Sequence, residues 1–208
     1  MTATDRAPVR LLSIALLITV ASQLFYITVV PAAGPETVLR PAIWFGELFA
    51  FLSIALAAFT LAIRRPDQAV LWVTLAIAGI LNVLQVAVGL TMFGPASEGE
   101  PQLIATVLAG AFFLSFLAKF LLAGTGIAFG LIAKGLGGLT IIAGPAAAAL
   151  NLLAMIESKA WMAAAGASGT AATGLLAILL LVADNLLGAT VASSRQAPDF
   201  AKILVIRA

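Results

Sequence analysis

The sequence predicts an all-α, polytopic membrane protein: a bundle of six transmembrane helices forming one domain. Three observations carry this. The chain of 208 residues is 62% hydrophobic and only 10% charged, whereas a soluble domain is about 45–50% apolar and about 25% charged. A domain of this size leaves much of its surface in solvent, so that excess needs lipid around it. Six apolar stretches also approach or exceed the roughly 20 helical residues that cross a bilayer core of about 30 Å. Finally, Lys and Arg gather at alternate connections between those stretches, which is a topology signal.

The spans are expected at 11–30, 42–63, 69–93, 103–133, 136–156 and 171–192, within a transmembrane domain over 1–194. Residues 195–208 form a short cytoplasmic tail. In lipid each backbone must satisfy its own hydrogen bonds, so these runs are helices. Between them stand "PAAGPE", "RRPDQ", "GPASEGEPQ", "KG" and "ESKAWMAAAGASG" as turns, with Pro31, Pro66, Pro95 and Pro101 where helices should start or stop. The first span has Arg-rich flanks, but its run of about 20 apolar residues exceeds the 7–15 of a signal core, so it is read as retained. The fourth, about 31 residues or 46 Å long, must tilt, protrude or bend, with Gly124-Thr125-Gly126 as its weak point. Pro145 is expected to kink the fifth. The two three-helix halves share no motif.

With the N-terminus cytoplasmic, the inner side carries Arg6, Arg10, Arg64, Arg65, Lys134, Arg195, Lys202 and Arg207, and the outer side only Arg40 and Lys159. That eight-to-two bias sets both termini inside. Trp44, Trp161 and Tyr26 then fall near the outer interface and Trp72 near the inner one, as an aromatic belt. The pI of 9.4 reflects a net charge of only +2, so no nucleic-acid partner is expected.

Cysteine and histidine are absent. That excludes disulfides, Cys/His zinc sites, His- or Cys-ligated haem, Cys nucleophiles and Ser-His-Asp triads. No P-loop, GxGxxG or metal-spaced carboxylate pair occurs, and no cofactor or metal is expected.

The informative residues are the rare polar ones inside the spans. Lys119 sits mid-span, where a lysine costs about 2.5–3.5 kcal/mol unless it faces protein, water or a counter-ion. Asp184, in "LVADNLLG", is its expected partner. Counted from the outer ends, the two lie about 24 and 20 Å deep at 1.5 Å per residue. Asn82 and Asn185 would complete the hydrogen bonding. This pair reads either as a structural staple or as a charged couple lining a pathway, with snorkelling of Lys119 to the inner surface as a third reading. A second polar set, Gln23, Tyr26, Glu47, Gln85 and Asn151, lies nearer the outer ends of five helices. It suggests an outward-facing polar cavity, against the plainer reading of local interhelical hydrogen bonds. Gly126 and Gly130 form a GxxxG on the Lys119 face, expected to admit a neighbouring helix of the same bundle rather than a dimer partner.

The run "RPAIWFGELFAFLSIALAAFTLAI", the turn "RRPDQA", then "WVTLAIAGILNVLQ" and "FGLIAKGLGGLTIIAG" resemble a bacterial six-helix integral membrane family of unknown function, over roughly residues 40–156. Members carry histidine around the fourth helix, where this chain has Lys119. The resemblance implies the six-helix architecture and a bacterial inner membrane, and it supplies no activity.

Three function classes follow. The first is a non-enzymatic integral membrane protein that binds or transports a small or lipidic ligand through the outer cavity. The second is a structural or accessory subunit packed against another membrane protein. The third and least favoured is an intramembrane enzyme using Glu47 or Asp184 as acid or base.

Overall fold

The computed structural model describes residues 5–33, 38–132 and 137–195; beyond 183 it describes the backbone alone. These residues form six helices: α1 (Arg6–Ala33), α2 (Leu39–Arg64), α3 (Ala69–Glu98), α4 (Pro101–Ile132), α5 (Gly137–Ile156) and α6 (Ser158–Arg195), with a 3-10 turn at Pro66–Gln68. All six are long and apolar enough to cross a membrane, so the chain is a multi-pass, all-α membrane protein. The Lys134-Gly135 connection and the tail from 196 lie outside the described residues.

The helices are patterned for lipid. On α2, Phe45, Phe49, Leu52, Leu56, Phe59 and Ile63 point outward, while Ala50, Ile54, Ala57, Ala58 and Leu61 are buried. Large apolar side chains thus meet the bilayer, and smaller ones let helices pack closely inside. Gly79 shows how close: a Cβ there would lie 3.0 Å from the backbone nitrogen of Ala55. Lipid-facing hydroxyls are satisfied within their own helices. Ser53, Thr60, Thr74 and Thr91 each donate to the carbonyl four residues back, at 2.7–2.8 Å.

Two expectations change. Pro66 and Pro101 do open helical segments, but Pro31 and Pro95 lie inside α1 and α3. Each removes one hydrogen bond near a helix end, a loss a membrane helix tolerates. More consequentially, "SKAWMAAAGASG" is no loop. Only Glu157 separates α5 from α6, and α6 starts thirteen residues before the expected 171. Its small residues are a packing surface rather than a chain break.

Each helix packs on its sequence neighbours, α1 closes against α6, and α4 also meets α6. The result is a ring of five, α1–α2–α3–α4–α6, with α5 outside it on the α4–α6 seam. Gly130 abuts Thr140 and Gly137 of α5, Gly144 abuts Ile127, and Gly126 faces Leu176 of α6. The GxxxG is therefore an intramolecular contact.

Toward the Pro66–Gln68 turn the ring is filled by Val9, Leu12, Leu16, Leu61, Trp72, Leu75, Phe129 and Leu176, and the same core continues toward the Glu98 end through Val86, with Trp44, Leu48 and Leu90 packed on it. Trp72 is 1% exposed and packs on Phe129, with ring centroids 4.6 Å apart and planes tilted by 49°, so it belongs to this plug and not to an interfacial belt. Asp5, also buried, accepts a 3.5 Å ion pair from Arg65, which in turn reaches Asp67 at 3.6 Å. That contact ties the start of α1 to the α2–α3 turn.

Candidate functional site

Above the plug the ring turns polar. Thr19, Val20 and Gln23 of α1, Phe51 of α2, Asn82 of α3, Lys119 and Leu122 of α4, and Thr170 and Thr173 of α6 line a small cavity of about 10 Å³. By the measure of space needed per water, it holds about one. All five ring helices contribute, and α5 does not. Two of the wall's hydroxyl protons are spent locally: Thr19 donates to Leu16 O and Thr173 to Gly169 O, each at 2.8 Å. Asn82 Nδ2 donates to Ala78 O at 3.1 Å.

Lys119 is 8% exposed and makes no hydrogen bond or ion pair with any described residue. Side chains of a helix lean toward its N-terminus, which for α4 is the Glu98 end of the bundle. The lysine stem accordingly rises along α6: a Cβ on Gly169 would lie 2.6 Å from Lys119 Cδ and 3.1 Å from Lys119 Cβ. Only glycine leaves room for it. The same spot on Gly169 is 3.1 Å from Asn151 Nδ2, which donates to Ala147 O at 2.8 Å and Ala165 O at 3.2 Å. Asn151 Oδ1 is fully buried without a partner.

Glu47, 7% exposed, lies one turn of α2 beyond Phe51, and its Oε1 accepts from Ser22 at 2.7 Å. Glu47 and Lys119 form no direct ion pair. One residue along from Ser22, Gln23 Oε1 accepts from Thr170 at 2.5 Å. Two neighbouring side chains thus lace α1 to α2 and to α6 at one level.

The expected residues distribute as follows. Gln23, Asn82 and Lys119 share the cavity wall, Glu47 stands beside it, and Asn151 backs the lysine from α5. Tyr26 is not with them: it stacks at 6.3 Å on Trp44, which meets Phe93 edge-on at 5.5 Å. Gln85 is half-buried on α3, three residues from Asn82. The side chains of Asp184 and Asn185 lie outside the described residues, but the backbone register bears on them. Fifteen residues of α6, about 22 Å, separate Asp184 from the Gly169 that Lys119 touches. From Leu176, opposite Gly126, eight residues lead to Asp184, whereas α4 ends six residues on at Ile132. The early start of α6 thus moves Asp184 from mid-span to the plug end, and the carboxylate described near Lys119 is Glu47.

Ser22, Gly169, Thr170 and Thr173 escaped the sequence reading. The last three lie in or just past the stretch read as a loop, and a lone serine in a span carries no signal of its own. No protein-family model matches this chain, and no curated protein and no solved structure matches it.

Proposed function

We propose that this integral membrane protein binds a small polar solute at the Lys119–Glu47 level of its ring and moves it across the bilayer, reached from the Glu98 end. The observation that carries this reading is Lys119 itself. A buried ammonium with no ion-pair contact, aimed at a polar cavity ringed by five helices, is the usual mark of a solute or ion path in a membrane. The place of Glu47 supports access from the Glu98 end, since it lies one turn of α2 nearer to it than Phe51 of the cavity wall. The described conformer, with room for about one water, is then the closed form of the path. The eight-to-two distribution of Lys and Arg supports cytoplasmic termini, with the Glu98 end outside; a bacterial inner membrane follows from the resemblance over residues 40–156.

The chain has no cysteine, so single cysteines report directly. Gln23→Cys and Thr170→Cys, in sealed vesicles, should react with a membrane-impermeant thiol reagent added on the Glu98 side. Leu12→Cys and Leu16→Cys in the plug should stay unlabelled from both sides. Absence of labelling at both cavity positions from either side would end this reading.

A further inference from the structure

The chemistry of the site narrows the solute. Two opposite charges lie near one level of the ring, each more than nine-tenths buried, and they do not touch. In a low-dielectric interior an ion pair that can close does so unless other contacts hold it open. Here both sides are held. Ser22 engages Glu47 Oε1, and the lysine stem is confined by Gly169 and Asn151. Glu47 Oε2 and Lys119 Nζ have no hydrogen-bond or ion-pair partner among the described residues. An arrangement with a fixed anion on α2 and a fixed cation on α4 is complementary to a molecule carrying both charges in the reverse order.

We infer that the site takes a small zwitterion, its ammonium on Glu47 Oε2 and its carboxylate or phosphate on Lys119 Nζ. This rests on the reading above and names the solute's class. A singly charged ligand would satisfy one group and leave the other buried and unmatched, so the pair selects against it. Gln23, whose Nε2 is free to donate, stands beside the anionic end. Phe51, Val20 and Leu122 offer an apolar wall to the linking carbons, which limits the linker to a few atoms. Admission needs more space than the closed cavity has. The Gln23–Thr170 bond between α1 and α6 is the contact that must part, and Thr170 can turn its one hydroxyl proton to Gly166 O at 2.8 Å instead. The same zwitterionic chemistry occurs in free amino acids and in ethanolamine lipid headgroups, and both must be probed.

The test uses the purified full chain. Glycine, β-alanine and γ-aminobutyrate are titrated in detergent against the single-charge analogues ethylamine and propionate, following the thermal unfolding midpoint. In parallel, native mass spectrometry compares retention of phosphatidylethanolamine with that of phosphatidylglycerol from nanodiscs. A midpoint rise with the amino acids and not with the analogues identifies a free zwitterion. Selective retention of phosphatidylethanolamine identifies the headgroup. In either case Glu47→Gln and Lys119→Met should each weaken binding about thirtyfold or more, while Thr91→Val, on the lipid face, leaves it unchanged. Equal response to the single-charge analogues, or no response to any probe, overturns the inference. Because the ligand comparison is made on the unaltered protein, misfolding of a variant does not blur it. Cysteine labelling without zwitterion binding refutes the solute class alone, and failure of both refutes the path as well.

Discussion

Gly169→Ala is the sharpest test of the lysine's environment. The added methyl would sit 2.6 Å from Lys119 Cδ and 3.1 Å from both Lys119 Cβ and Asn151 Nδ2, where carbon contacts prefer about 3.5–4.0 Å. Lys119 Cδ can swing aside, but its Cβ is fixed to the α4 backbone, and Asn151 is tied down by two carbonyls. Relief therefore means prising α6 from α4. Overpacking of this kind costs about 1–3 kcal/mol, against about 0.5–1 kcal/mol gained from replacing a helical glycine by alanine. The net expectation is a loss of about 1–2 kcal/mol. Gly166→Ala is the control one turn earlier, since a Cβ there meets nothing within 4 Å, and it should gain the propensity term alone. Equilibrium unfolding in mixed micelles should separate the two variants by about 2 kcal/mol. The double variant Gly169→Ala with Lys119→Ala should recover part of the loss. Indistinguishable stabilities for the two alanine variants would refute the packing argument and the lysine rotamer on which the site depends.

Other expectations follow from single contacts. Ser22→Ala should cost about 1 kcal/mol in the same assay, between the membrane average of about 0.6 and the 1.5–3 of hydrogen bonds to charged groups; Glu47→Gln, whose carbonyl can still accept from Ser22, should cost less. Gly130→Ala should be severe, about 3 kcal/mol, because the clash includes the backbone oxygen of Gly137 at 2.7 Å, whereas Gly124→Ala, with open space around it, should gain about 0.5–1 kcal/mol like Gly166→Ala. Arg65→Ala should lose about 1–2 kcal/mol by taking a partner from buried Asp5, while Asp67→Ala, on a side chain 62% exposed, should lose little. Trp72→Phe should be far milder than Trp72→Ala, at about 3–5 kcal/mol, because the indole N–H it gives up is buried without a partner.

Much of the fold is legible because lipid imposes a length and a composition on every crossing. The first five spans end within about five residues of their expected limits. The sixth failed for a physical reason: alanine, glycine and serine mark both a loop in water and a close-packed helix in a bilayer, and "WMAAAGASG" is the second. That one misreading set the depth expected for Asp184, whose side chain lies outside the described residues. Pro31 and Pro95 misled similarly, since a proline near a helix end removes only one bond there. The candidate site was half legible. Gln23, Glu47, Asn82, Lys119 and Asn151 stand out because polar groups are rare in spans. Which of them meet is fixed by helix register, which counting from loops cannot supply when one loop is misplaced. Trp72 shows the limit of belt statistics: its ring is large enough to be recruited into the core.

A wall of five staves with a sixth braced outside has no two equal halves. A molecule built as two mirrored triplets can change the face it opens by rocking one triplet against the other. Here, any such exchange must be lopsided, a single rod leaving a frame of four. α1 is tied to its neighbours by Ser22 and Gln23 at mid-height and by Asp5 at its foot, while the outboard α5 braces the α4–α6 corner.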